Sequence, residues 1–185
     1  MKTKTKRIYL LIFALVAMVA GVNAEPTAYA EYQIGYGKLT FKYGEMPTSS
    51  AGTMYWDVTS TGDTPPWDMG GAFIAGSDLK FYSVEFDESF KDARPRSCSK
   101  WFYRMTSLKE IKGAEYLNTT KVTNMSNMFF HCTNLETVNV GNWDVSNVSD
   151  MYGMFEDCSN LTSLDISNWD ISNVKIGRAS CRERV

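Results

Sequence analysis

The run Met125-Ser126-Asn127-Met128-Phe129-Phe130-His131-Cys132 opens a unit, MSNMFFHCTNLETVNVGNWDVSNVSD, that ends at Asp150. Met151 begins it again as MYGMFEDCSNLTSLDISNWDISNV. Met125/Met151, Phe129/Phe155, Cys132/Cys158, Leu135/Leu161, Val140/Ile166, Trp143/Trp169 and Val148/Val174 pair at a spacing of 26. Self-similarity at this period marks a chain whose units bury their apolar faces only against one another. Such an array is first of all a surface.

Two periodicities sit inside each unit. Val138 and Val140, or Leu164 and Ile166, alternate as a half-buried strand does. Met125, Met128, Phe129 and Cys132 fall at i, i+3, i+4 and i+7, the spacing of one helical face. Thr123-Asn124 and Ser149-Asp150 precede these runs, where side-chain oxygens can cap free N–H groups. The expected coil is therefore strand, bend and short helix, with strands in a parallel ladder. Working back by 27, earlier coils begin at Leu108-x-x-Ile111 and Phe81-x-x-Val84-x-Phe86, with Gly113 interrupting the core pattern. The bend carries a ladder of Phe90, Leu117, Trp143 and Trp169.

Before the repeats, residues 25–78 read as a small β-rich capping head. Tyr32 to Tyr43 around Gly35-Tyr36-Gly37 has the pattern of a hairpin. Thr53 to Val58 reads as a further strand, and Ser60 to Gly71, with Thr64-Pro65-Pro66-Trp67, as a loop. The solenoid is expected over 79–175, about three and a half coils.

Both ends stand apart. Lys2, Lys4, Lys6 and Arg7, an apolar run Ile8 to Val19, and Val22-Asn23-Ala24 before Glu25 form a secretory signal peptide over 1–24, too short for a membrane span. The mature chain is expected to be exported, secreted or on the cell surface. Residues 176–185, IGRASCRERV, abandon the repeat. They match the translation of a sequencing-adapter stretch, ATC GGA AGA GCG TCG TGT AGG GAA AGA GTG, so they are expected to be non-native and the last coil to be cut.

Between Glu25 and Lys175 stand 12 Lys and Arg against 20 Asp and Glu. An acidic chain without a basic stripe suits neither a phosphate backbone nor an anionic membrane surface, so nucleic acid is not an expected partner. Cys98, Cys132 and Cys158 remain once the terminal stretch is set aside. An odd number at repeat positions reads as a ladder of small buried side chains, with a Cys132–Cys158 bridge as the alternative.

No catalytic set emerges. His131 is the sole histidine, which excludes a His-centred triad or multi-His metal site within this chain. Asp144 and Asp170 recur in register, and turn chemistry accounts for them better than a calcium ladder. Asn142/Asn168 and Asn147/Asn173 read as side chains satisfying backbone groups within the coil. The chain is expected to be non-enzymatic, with no cofactor and no metal.

The pattern M-x-x-M-F-x-x-C-x-x-L-x-x-L-x-[VI]-x-N-W-[ND]-x-S-N-V, matched by Met125 to Val148 and Met151 to Val174, resembles the repeats of BspA-type leucine-rich-repeat surface proteins of bacteria. Phe86-Asp87 through Ser99-Lys100-Trp101-Phe102-Tyr103 resembles the stretch leading into their first full repeat. Met105, Gly113 and Leu117 depart from the family pattern. The resemblance implies an α/β, leucine-rich-repeat-like solenoid of short strands and short helices. It also implies an exported, non-enzymatic role in surface attachment or protein binding.

The expected binding face is Glu136, Asn139, Thr162, Ser163 and Asp165, with extracellular or host proteins as partners. Cys132, Cys158, Trp143 and Trp169 are expected to be structural ladders. The alternative is carbohydrate binding by the aromatic head, through Tyr32, Tyr36, Tyr43, Tyr55, Trp56 and Trp67.

Overall fold

The computed structural model describes residues 26–33, 35–48, 51, 53–58 and 80–175. The expected signal peptide, the loop bearing Trp67 and the terminal stretch 176–185 lie outside these residues. Five strands form one mixed sheet: β1 (Thr27–Gln33), β2 (Lys38–Gly44), β3 (Thr53–Asp57), β4 (Ser83–Phe86) and β5 (Glu110–Lys112), in the order β3-β1-β2-β4-β5.

The hairpin expected from the sequence is β1–β2, antiparallel from Thr27↔Gly44 to Gln33↔Lys38. Its turn needs both glycines: Gly35 and Gly37 have φ of 90° and 62°, and a Cβ on Gly37 would collide with the Lys80 carbonyl. β3 adds antiparallel to β1, while β4 adds parallel to β2 and β5 parallel to β4. The head hairpin and the first coil therefore share one sheet. They also share one core, which is continuous from Ala28 to Met154. Phe41 joins the two parts, stacked on Phe86 at 4.6 Å and on Trp101 at 5.0 Å.

The solenoid of strands and short helices expected from the sequence does not form. Beyond β5 the ladder shrinks to single parallel bridges, Glu110↔Thr137↔Ser163 on one side and Ser97↔Asn124↔Asp150 on the other. Among the described residues there is no α-helix, only two 3-10 segments, Glu88–Asp92 and Ala114–Tyr116. Past the mixed sheet the chain is a stack of turns.

The backbone explains why the helical spacing failed. Asn127 and His131 have φ of 54° and 59°, as do Lys100 and Arg104 (both 58°) before them and Gly153 and Asp157 (60° and 59°) after. Left-handed residues every fourth position cannot belong to an α-helix. Instead two four-residue turns succeed one another, closed by Met128 N–H to Met125 O at 3.2 Å and Cys132 N–H to Phe129 O at 3.1 Å. Each has its left-handed residue third, the position that takes positive φ in one common turn type. Positions i, i+3, i+4 and i+7 are the ends of these two turns, so tandem turns counterfeit a helical face.

The intervening N–H groups point across the stack. Met125, Asn127, Phe129 and His131 donate to the carbonyls of Asp150, Tyr152, Met154 and Glu156 at 2.7–2.9 Å. Cys98, Lys100, Phe102 and Arg104 do the same one level earlier, to Asn124, Ser126, Met128 and Phe130. Side chains register with this spacing: Phe129 lies 5.2 Å from Phe102 and 5.0 Å from Phe155, ring on ring. Stacked rings of this kind contribute about 0.5–1.5 kcal/mol per pair beyond burial.

Candidate functional site

The expected face builds up from the row pairing. Glu110 bridges Thr137, which bridges Ser163. One position earlier, Glu136 and Thr162 meet through their backbone, the Thr162 N–H donating to the Glu136 carbonyl at 3.2 Å. Two positions later stand Lys112, Asn139 and Asp165. Glu136, Asn139, Thr162, Ser163 and Asp165 are all exposed or half-buried and lie in these rows, while Val138 between them is buried.

Not all five are equally available. The Thr162 hydroxyl donates to the Glu136 carbonyl at 3.4 Å. Asp165 Oδ1 accepts from the N–H and hydroxyl of Ser167 at 3.0 and 2.7 Å. Those two bonds hold the Asp165 carboxyl below its usual range. Asp165 is thus partly a turn residue.

The rows extend further than the expected face. Lys109, Glu110 and Lys112 are exposed one coil earlier, and Glu85 pairs with Lys112 across β4–β5. Ion pairs Lys38–Glu85 and Lys112–Glu110 alternate sign along this strip. Counting back by 27 from Glu136 and Asn139 reaches Lys109 and Lys112, so the repeat itself carried that signal.

The ladders have polar as well as apolar functions. The Trp143 indole N–H donates to the Ala114 carbonyl at 2.9 Å, and Trp169 repeats the bond to Val140 at 3.0 Å. The Cys132 thiol donates to the Phe102 carbonyl at 3.0 Å and Cys158 to that of Phe129 at 3.1 Å. Cys98, Cys132 and Cys158 form no disulfide among the described residues, so the alternative of a Cys132–Cys158 bridge does not hold. Burial pushes the Cys98 and Cys132 thiols far above their ordinary range, which deprives them of nucleophilic thiolate.

Asn147 and Asn173 donate to the carbonyls of Thr120 and Ser146 at 3.0 and 2.7 Å. Asn142 and Asn168 reach Glu115 and Gly141 at 3.3 and 3.5 Å. These amides therefore link neighbouring coils, and they do so on the surface rather than inside. Asp144 accepts from the Ser146 N–H and hydroxyl at 3.0 and 2.6 Å, and Asp170 from the Ser172 N–H at 3.0 Å. Among the described residues no group of three or more His, Cys, Asp and Glu is placed to hold a metal ion.

His131 sits on a turn, not a helix, with Nδ1 3.5 Å from Asp157 Oδ2. In the head, Tyr29 and Tyr32 are buried and Tyr36 is 80% exposed. Tyr82, 46% exposed, donates its N–H to the Gly37 carbonyl beside Tyr36. Trp67 lies outside the described residues. No helix among the described residues is long and apolar enough to cross a membrane.

Comparison with known proteins returns one family. A model described as Mycoplasma protein of unknown function, DUF285, matches residues 96–179, somewhat less than half of the chain. No curated protein and no solved structure matches.

Proposed function

We propose that this chain is an exported, non-enzymatic protein-binding module of a cell surface or secretion, engaging extracellular or host proteins through the strip that runs from Lys38 and Glu85 to Asp165. The observation that supports this reading is the exposure and row alignment of Lys112, Asn139 and Asp165 beside Glu110 and Ser163. An exposed, mixed-charge strip whose positions recur from repeat to repeat suits a partner bound over several of them. The likeness of the repeat motif to BspA-type surface proteins supports the same role. Oppositely charged neighbours along the strip favour selection among partners over raw affinity.

The test is binding of the immobilised chain to a panel of extracellular host proteins. Lys112→Glu combined with Glu136→Lys is expected to weaken binding by about tenfold or more, with an unchanged thermal melt. Binding to no member of the panel, or binding indifferent to both reversals, sinks the proposal.

A second reading, glycan binding, draws on Tyr36 and Tyr82, which stand open at the hairpin end. Exposed rings of this kind can stack on sugar faces. Immobilised glycans retained by the chain and lost by Tyr36→Ala with Tyr82→Ala would favour it.

A further inference from the structure

Charge is sorted along the stack. Between Lys91 and Lys109 stand six Lys and Arg against one Asp; between Cys132 and Lys175 stand seven Asp and Glu against one Lys. Residues 110–131 between them balance two against two. The part of the stack beside the head is therefore cationic and the later part anionic.

The gradient is sharpest at the tips of the second of the two tandem turns. These tips are Tyr103-Arg104, Phe130-His131 and Glu156-Asp157. They are held in register by Arg104 N–H to Phe130 O at 2.7 Å and His131 N–H to Glu156 O at 2.8 Å. All six residues are half-buried or exposed. The first tip gathers two cations about one ring, with Lys100 Nζ 6.0 Å and the Arg104 guanidinium 5.7 Å from the Tyr103 centroid. The middle tip is aromatic: Phe130 stacks on Tyr103 at 5.1 Å and lies 6.1 Å from His131. The third tip holds two carboxylates, and the Asp157 side chain is 61% exposed with His131 Nδ1 3.5 Å away.

We infer that this ridge is an interface for a second copy of the chain, packed side by side and antiparallel. A two-fold axis through the middle tip, at right angles to the ridge, leaves Phe130-His131 facing itself and lays each cationic tip on an anionic one. Tyr103 with Lys100 and Arg104 of one copy meets Glu156-Asp157 of the other, and the same contact recurs across the axis. Such an interface is isologous and closes at two copies. An acidic peptide answers the first tip alone, whereas a second copy answers all three. Charge fixes the direction, because a parallel arrangement sets like tips together. The sorted charge of the whole stack favours the same arrangement. The ridge shares no residue with the strip proposed above, and neither depends on the other.

The test is sedimentation equilibrium of the full chain at about 20 mM and about 500 mM salt. A reversible dimer is expected at the lower salt, weakened about tenfold or more at the higher, with no larger species. Arg104→Asp and Asp157→Arg each install the residue type that the other position carries, and both positions are left-handed. The thermal melt should therefore be unchanged, while each substitution alone weakens the dimer about tenfold or more. Mixed one to one, the two variants should associate again, since the mixed pair keeps one native contact and gains a reversed one. Phe130→Lys, at a turn position without positive φ, sets two like charges near the axis and should weaken the dimer as well; it serves where either melt is lowered. A monomer at low salt overturns the inference, as do growth past the dimer and a dimer indifferent to salt. So does a dimer that the substitutions leave intact, or one that mixing fails to restore.

Discussion

Trp143 and Trp169 stand one coil apart with centroids 6.5 Å and planes 8° apart, and each donates its indole N–H to a carbonyl of the preceding coil. Only Trp143 is covered on both sides: it is buried, and Trp169 is half-buried. The same chemistry therefore has different value at the two levels.

Trp143→Phe leaves the Ala114 carbonyl without its buried donor, at a cost of about 1–3 kcal/mol. Trp143→Ala adds a cavity, and about 3–5 kcal/mol is expected. Trp169→Phe should cost less than Trp143→Phe. Urea denaturation measures all three, and equal losses at 143 and 169 would contradict the asymmetry.

Gly153 and Lys100 separate a turn from a helix. A helix would lose about 1 kcal/mol on Lys100→Gly. With Lys100 at φ 58°, the same change removes a left-handed strain and should raise stability by several tenths of a kcal/mol. Gly153→Ala should lower it by about 1–2 kcal/mol, because its Cβ would stand 2.7 Å from Asn127 Oδ1 at φ 60°. The signs of the two shifts in melting temperature decide the matter.

Thiol reactivity should follow burial. Cys98 and Cys132 are fully buried with strongly raised thiol pKa, whereas Cys158 is half-buried. Alkylation of the native protein, read by peptide mass spectrometry, is expected to label Cys158 well before the other two. Comparable rates at all three would refute the burial order.

Asp144, Asp165 and Asp170 predict the acid limb. Hydrogen bonds from Ser146, Ser167 and Ser172 hold the three carboxyls below 3.8. The folded state then binds fewer protons than the unfolded state as pH falls. Their contribution is complete above the unfolded value and is lost as pH drops through the depressed ones. The melting temperature should be flat down to about pH 5 and decline below it. Asp144→Asn keeps the turn geometry, as Asn118 does for Thr120 at 3.2 Å, and should shallow that decline.

The sequence was legible where a side chain must pair with its copy. The period of 26, the Trp and Cys ladders and the hairpin around Gly35 and Gly37 could all be read from residue type. The turns could not, because Met125, Met128, Phe129 and Cys132 satisfy a helix and a tandem turn equally. The residues that distinguish them, Asn127, His131 and Asp157, are ordinary polar types whose positive φ leaves little trace in composition; only Gly153 gives the conformation away. The exposure of Glu136, Asn139, Thr162, Ser163 and Asp165 was legible in the clear repeats, and that of Lys109 and Lys112 follows from them by the register of 27, although Gly113 breaks the core pattern beside it. Gly113 itself has φ 66°, and a Cβ there would strike the Phe86 carbonyl.

Alternate N–H groups close a turn within one coil and cross to the next, which also sets how the molecule yields to force. A load drawn from the C-terminal side meets single bridges and a row of crossing bonds, never a long strand ladder sheared at once. The coils should peel away in sequence, each freeing on the order of 90 Å of extended chain, until the pull reaches the parallel pairing of β2 with β4. There the resistance changes character, since the strands must slide past one another and part the Phe41 ring from those of Phe86 and Trp101.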